Sequence, residues 1–144
     1  MKRAIARPST GSGRAEKARA SVLVPLVGDL VAPRFDLATE VLVARVRNGK
    51  VDGEPRVVLL PGPSADDLCT LALEEGITDV VCGGIEDAHY QYLAWKKIRV
   101  VDRVIGRWEG VLRLFLADAL RAGAVVRDGL AAGDSRSDRR REAP

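Results

Sequence analysis

Val80-Val81-Cys82-Gly83-Gly84-Ile85-Glu86-Asp87-Ala88-His89 joins a short apolar strand, residues 77–82, through a paired-glycine turn to a helix opened by Glu86 and Asp87. The pattern brings the chain's only histidine and one of its two cysteines close to a helix N-terminus. Unpaired backbone N–H groups there favour an anion. A binding site is one reading. The other is an ordinary strand-to-helix turn, in which the glycines serve tight geometry, Cys82 is a small buried residue and His89 is a surface polar group. A lone Cys-Gly-Gly does not separate the two.

Upstream of this stretch, Ser64 with Asp67 three residues on has the form of a capping box, and it opens a helix over 65–75. Leu68, Leu71 and Ala72 lie on its apolar face, and Gly76 stops it. Before that helix, residues 40–46 form a β-branched strand, and Asn48-Gly49 is a strong hairpin signal. The returning strand starts near Lys50, has its apolar part at 56–60 and ends at Pro61-Gly62-Pro63. The first strand is 21–27, a near-continuous apolar run suited to burial on both faces. Pro25 removes a ladder donor from it, which predicts a bulge or a position near the strand's end. Gly28 and Asp29 then open a loop through Asp36. Downstream, the pattern predicts a helix over 87–97, a strand over 98–101 extending toward 104, and a helix over 108–121. Val111, Leu112, Phe115, Leu116 and Ala119 mark the core face of that last helix.

The order β, β, β, α, β, α, β, α predicts an α/β domain. Its mixed five-stranded sheet would have one antiparallel strand and helices on its faces. Strand one is central, with the hairpin on one side and the two later strands on the other. The crevice then lies outside the carboxyl ends of strands one and four, at Gly28-Asp29 and Cys82-Gly83-Gly84. The loop bearing Arg34 and Asp36 and the turn leading to His89 are expected to line one mouth.

A chain of 144 residues, 47% hydrophobic, fits one domain with a substantial core. No apolar run approaches the roughly 20 residues of a membrane helix, and no secretory signal opens the chain, so a cytoplasmic protein is expected. Two cysteines do not make a disulfide framework, and both are expected as thiols. Lys2, Arg3, Arg7, Arg14, Lys17 and Arg19 against Glu16 give residues 1–20 a net +5. Residues 127–144 carry +1 and the remainder −3. The basic charge thus belongs to two polar segments, 1–20 and 127–144, which read as disordered tails flanking a domain at 21–126. With a mildly acidic domain and only six Phe, Trp and Tyr residues in the chain, nucleic acid is not an expected partner.

Four segments together resemble the dinitrogenase iron–molybdenum cofactor biosynthesis family, which includes NifX and the C-terminal domain of NifB. They are Val31-Ala32-Pro33-Arg34-Phe35-Asp36, Asn48-Gly49-Lys50, Glu75-Gly76-Ile77 and Val81-Cys82-Gly83-Gly84-Ile85. The resemblance covers about residues 21–120. It implies a ribonuclease-H-like, three-layer α/β domain that transiently carries an iron–sulfur or iron–molybdenum cluster precursor and is not itself a catalyst. The partners it implies are metallocluster assembly proteins or nitrogenase components, with the chain a monomer or weak homo-oligomer.

Clusters want thiolate ligands and are usually anionic, so Cys82, Gly83 and Gly84 together offer a ligand and electrostatic support. His89 could add a nitrogen ligand, Arg34 a counter-charge, and Asp29 lies at the same predicted edge. Cys69, in the helix after strand three, reads either as a further ligand or as a structural thiol. One or two thiols and one His fall short of the four thiolates of a permanent cluster. Two other classes remain open. A metal-free interaction or regulatory domain would leave Trp95 and Trp108 as partner-surface candidates. A divalent-metal nuclease would need carboxylates on the central strand, and residues 21–27 have none, although Asp29, Asp36, Glu40 and Asp102 flank strands.

Overall fold

The computed structural model describes residues 19–127. The expected tails fall mainly on 1–18 and 128–144, outside the described residues. The first strand, β1 (Arg19–Val27), begins two residues before its expected start and lies at the centre of the sheet. A turn with Gly28 at φ +61° leads into the two-residue β2 (Leu30–Val31), which pairs back antiparallel on β1. After a 3-10 turn at Phe35–Leu37 come β3 (Glu40–Arg47), β4 (Lys50–Val51) and β5 (Arg56–Leu59). The rest alternates: α1 (Ala65–Glu74), β6 (Asp79–Val81), α2 (Asp87–Trp95), β7 (Arg99–Val101) and α3 (Trp108–Leu116).

The strand order is β4-β3-β1-β6-β7, with β5 also on β3 and β2 on β1. β3 runs antiparallel to β1 and to β5, while β1, β6 and β7 are mutually parallel. The placement of the hairpin and the later strands on opposite sides of β1 follows the sequence. The strand count does not: seven strands replace five. One extra strand is β2, too short to leave a periodic signal. The other arises because residues 52–55, with Gly53 at φ +81°, divide the returning hairpin strand into β4 and β5. Asn48 and Gly49, at φ +55° and +79°, form the expected tight turn, for which both central residues need positive φ.

Pro25 sits inside β1, in register with Val41 and without a bulge. Its carbonyl accepts the Ala32 N–H at 2.8 Å, so its backbone edge faces the β2 side. The parallel pairing with β6 ends at Leu23 and Val80. The missing donor therefore falls beyond the ladder and removes no bond from it.

Strand alternation divides the core between two faces. Leu23, Val41, Val43, Val80 and Cys82 face α1 and α2, meeting Leu68, Cys69, Ala72 and Leu93. Val22, Val24, Leu26, Leu42 and Val81 face α3, meeting Val111. This makes three layers, and truncating a fully buried side chain such as Leu23 or Leu93 to Ala costs about 2–5 kcal/mol. Ser64 caps α1 as expected, its hydroxyl accepting the Asp67 N–H at 3.1 Å. All three helices end in the same two-bond motif. At α1, Gly76 N–H donates to Leu73 and Ile77 N–H to Ala72. Lys97 (φ +68°) and Asp118 (φ +59°) take the place of glycine at the ends of α2 and α3. Those helices end at Trp95 and Leu116, short of the expected 97 and 121, since a left-handed residue that is not a glycine closes the helix without leaving a stop signal in the sequence. Among the described residues no helix is long and apolar enough to cross a membrane.

Candidate functional site

The double-glycine turn joins the ends of β1 and β6 through the segment after β2. Gly84 N–H donates to the Pro33 carbonyl at 2.7 Å and Phe35 N–H donates to the Gly84 carbonyl at 2.8 Å, so the two segments pair like parallel strands. The Gly83 carbonyl accepts the Arg103 N–H at 2.9 Å. A Cβ on Gly83 would lie 2.3 Å from the Ala32 carbonyl oxygen and 2.7 Å from that of Pro33; at Gly84 the nearest approach is 3.2 Å, to Pro33. Glycine at 83 is thus required by close backbone approach, and the Gly84 N–H is already engaged rather than free for an anion.

On the α1/α2 face of this turn the structure gathers the predicted polar residues. The Arg34 guanidinium donates twice to Asp36, from Nε at 3.0 Å and Nη2 at 2.8 Å. These hydrogen bonds hold the Asp36 carboxyl below the ordinary carboxylate range and raise the Arg34 pKa. His89 lies with its Nε2 3.7 Å from Glu86 Oε1 and its ring 6.1 Å from that of Phe35. Phe35, between Arg34 and Asp36, thus carries their loop against His89, and neither Arg34 nor His89 lines the concavity described below. Asp29 is engaged elsewhere: its carboxylate meets Arg107 Nη2 at 3.3 Å and its carbonyl accepts the Trp108 N–H at 2.9 Å.

Neither thiol reaches this surface. Cys82 is fully buried, since period-two alternation from Val80 turns it into the core beside α1 and α2. Burial, followed by the Asp102 charge, pushes its pKa up to about 12. Cys69 packs in the same core, its pKa raised to about 11 by burial and then by Asp66. Both are free thiols held in the protonated form, the state least suited to binding iron. Among the described residues no group of three or more His, Cys, Asp and Glu side chains is placed to hold a metal ion. Trp95 is 71% exposed on α2, whereas Trp108 packs against the α3-side core.

On the other face of the turn lies a concavity of about 540 Å³, within the range of small-molecule sites. Val27 and Leu30 of the β1–β2 hairpin form one wall, Val104, Ile105 and Gly106 the other, with Pro33, Gly83 and Gly84 between them. Among the described residues Arg103 is the one charged residue lining it. Val27, Leu30 and Ile105 are 55%, 49% and 62% exposed, an unusual expenditure of apolar surface at the predicted crevice. Of the predicted site residues only Gly83 and Gly84 line this pocket. Arg103, Ile105 and Leu30 were not singled out in the sequence, where they read as the tail of a strand and part of a loop.

No protein-family model and no curated protein matches the chain. Solved structures share its fold. The crystal structure of PH0822 is 24% identical, with a TM-score of 0.65, over 71% of this chain and 93% of that one. A Methanocaldococcus jannaschii protein provisionally named a dinitrogenase is 17% identical, with a TM-score of 0.59, over 71% of this chain and 92% of its own. A Thermotoga protein provisionally named a NifB protein is 17% identical, with a TM-score of 0.56, over 76% of this chain and 99% of its own. At these identities the likeness establishes the mixed α/β fold that the chain has in common with them.

Proposed function

We propose that this chain is a non-catalytic accessory protein of nitrogenase-type metallocofactor assembly, built on a ribonuclease-H-like domain, that transiently carries an anionic iron–sulfur or iron–molybdenum cluster precursor. The observation that carries the reading is the open concavity at the carboxyl ends of β1 and β6. The names of the M. jannaschii and Thermotoga proteins, and the four sequence segments that resemble the cofactor biosynthesis family, point the same way. With both thiols buried, the cargo arrives already assembled and capped by its own ligands. The chain supplies a surface, and its partners are the assembly proteins that deliver and accept the precursor.

Anaerobic incubation with a preformed, thiolate-capped iron–sulfur cluster, followed by desalting, tests this. The expected result is visible absorption and iron that co-elute with the protein. A colourless, iron-free protein would contradict it. That outcome would favour a metal-free interaction or regulatory domain, a second reading supported by the burial of both thiols.

A further inference from the structure

The pocket beside the double-glycine turn has apolar walls and, among the described residues, one charged lining residue, which is held in an unusual conformation. Arg103 has φ +58°, the left-handed region that residues with a Cβ rarely adopt. Four non-glycine residues have positive φ among those described. Asn48 serves a tight hairpin turn, and Lys97 and Asp118 close helices. Arg103 does neither. A glycine would relieve the strain while keeping the Arg103 N–H bond to Gly83, so the backbone alone does not account for an arginine here. Its backbone lines the pocket while its side chain, 67% exposed, lies toward Gly123, with Nη1 3.8 Å from where a Cβ on that glycine would stand, so a rotamer change brings the guanidinium over the pocket; among the described residues Nε has one ion-pair contact, to Asp102 at 3.6 Å, longer than a good hydrogen bond. A guanidinium is less strongly hydrated than an ammonium and pairs readily with large, weakly hydrated anions.

We infer that this pocket binds a large, weakly hydrated anion, its apolar or polarisable body against Val27, Leu30 and Ile105 and its negative charge on Arg103. Asp102 competes for the same guanidinium and is displaced when the anion arrives. A sulfide-rich cluster precursor belongs to this chemical class, and so does an aryl sulfonate. The inference therefore deepens the cluster-carrier reading and names its site. Its test uses an iron-free probe, so that the two can fail separately.

Fluorescence titration with 1-anilinonaphthalene-8-sulfonate, set beside the uncharged N-phenyl-1-naphthylamine, reads the body and the charge independently. The wild type is expected to bind both probes. Arg103→Gln is expected to weaken the sulfonate about tenfold and leave the neutral probe unchanged. Asp102→Asn is expected to tighten the sulfonate alone, and Ile105→Asp to weaken both. Binding of neither probe by the wild type, an unchanged sulfonate-to-neutral affinity ratio in Arg103→Gln, or full affinity in Ile105→Asp would overturn the inference. Circular dichroism and thermal unfolding of each variant separate loss of the site from loss of the fold. Sulfonate binding that depends on Arg103, together with failure to retain the preformed cluster, would uphold this site and reject the cluster cargo. Cluster retention indifferent to Arg103 would do the reverse.

Discussion

The two faces of the Gly83-Gly84 turn differ in what they leave unsatisfied. On the α1/α2 face stand the residue types that attract attention in a sequence: Arg34, Asp36, Glu86, His89 and, beneath them, Cys82. They are largely occupied with one another. Arg34 is doubly bonded to Asp36, His89 stands against Glu86 and Phe35, and the thiol is buried as the neutral acid. On the other face the residues are Val27, Leu30 and Ile105, which carry no chemistry of their own, yet there the surface is concave, apolar and open. Chemically capable side chains mark a site only when their capacity is not already spent on neighbours. Apolar side chains left in water at a crevice mark one by the hydration cost of leaving them there.

The largest expected effect lies in the turn that separates the faces. Gly83→Ala drives a Cβ into two backbone carbonyls, which cannot swing aside as a side chain would, and is expected to destabilise the fold by about 3 kcal/mol. Gly84→Ala, with a nearest approach of 3.2 Å, is expected to cost about 1 kcal/mol. Denaturant unfolding of the two variants checks the ranking. Equal losses would mean that the close approach of 32–33 to the turn is not what glycine serves.

The buried thiols give a smaller, pH-dependent effect. Both have folded-state pKa values above their ordinary 9.0, about 12 for Cys82 and about 11 for Cys69. The native state therefore holds protons that the unfolded chain releases. The stability this confers is fully present below pH 9.0 and is lost as pH rises toward about 12. Unfolding midpoints measured from neutral to alkaline pH are expected to fall above 9.0, and less steeply in Cys82→Ala. A slope that Cys82→Ala does not change would mean its thiol is not held neutral by burial. The smallest effect belongs to the polar face: Arg34→Ala removes an exposed, salt-screened pair and is expected to leave the thermal midpoint within experimental error of wild type. A marked drop would show that this cluster supports the fold.

Much of the fold was legible because local rules and tertiary packing agree. Asn48-Gly49 fixed the hairpin, Ser64 and Gly76 bounded α1, and apolar runs at strand spacing located β1, β3 and β6. The misplaced features lack a local signal. Lys97 and Asp118 end helices without glycine, and β2 is two residues long. The requirement for Gly83 comes from residues 32 and 33, fifty positions away, so the sequence showed the glycine without its reason. The meeting of Arg34 with the turn before His89 followed from topology. The burial of Cys82 was implicit in its period-two relation to Val80. The pocket was not legible, because Leu30 and Ile105 read as part of a loop and the tail of a strand, and only the folded sheet brings the two together with about half or more of each side chain exposed among the described residues.

The most direct measurement compares retention of the preformed, thiolate-capped iron–sulfur cluster by wild type, Cys82→Ala and Arg103→Gln, scored as iron per chain after desalting. Cys82→Ala is expected to keep its iron while Arg103→Gln loses most of it. Iron retained by Arg103→Gln and lost by Cys82→Ala would contradict this, returning the site to the thiol beneath the turn.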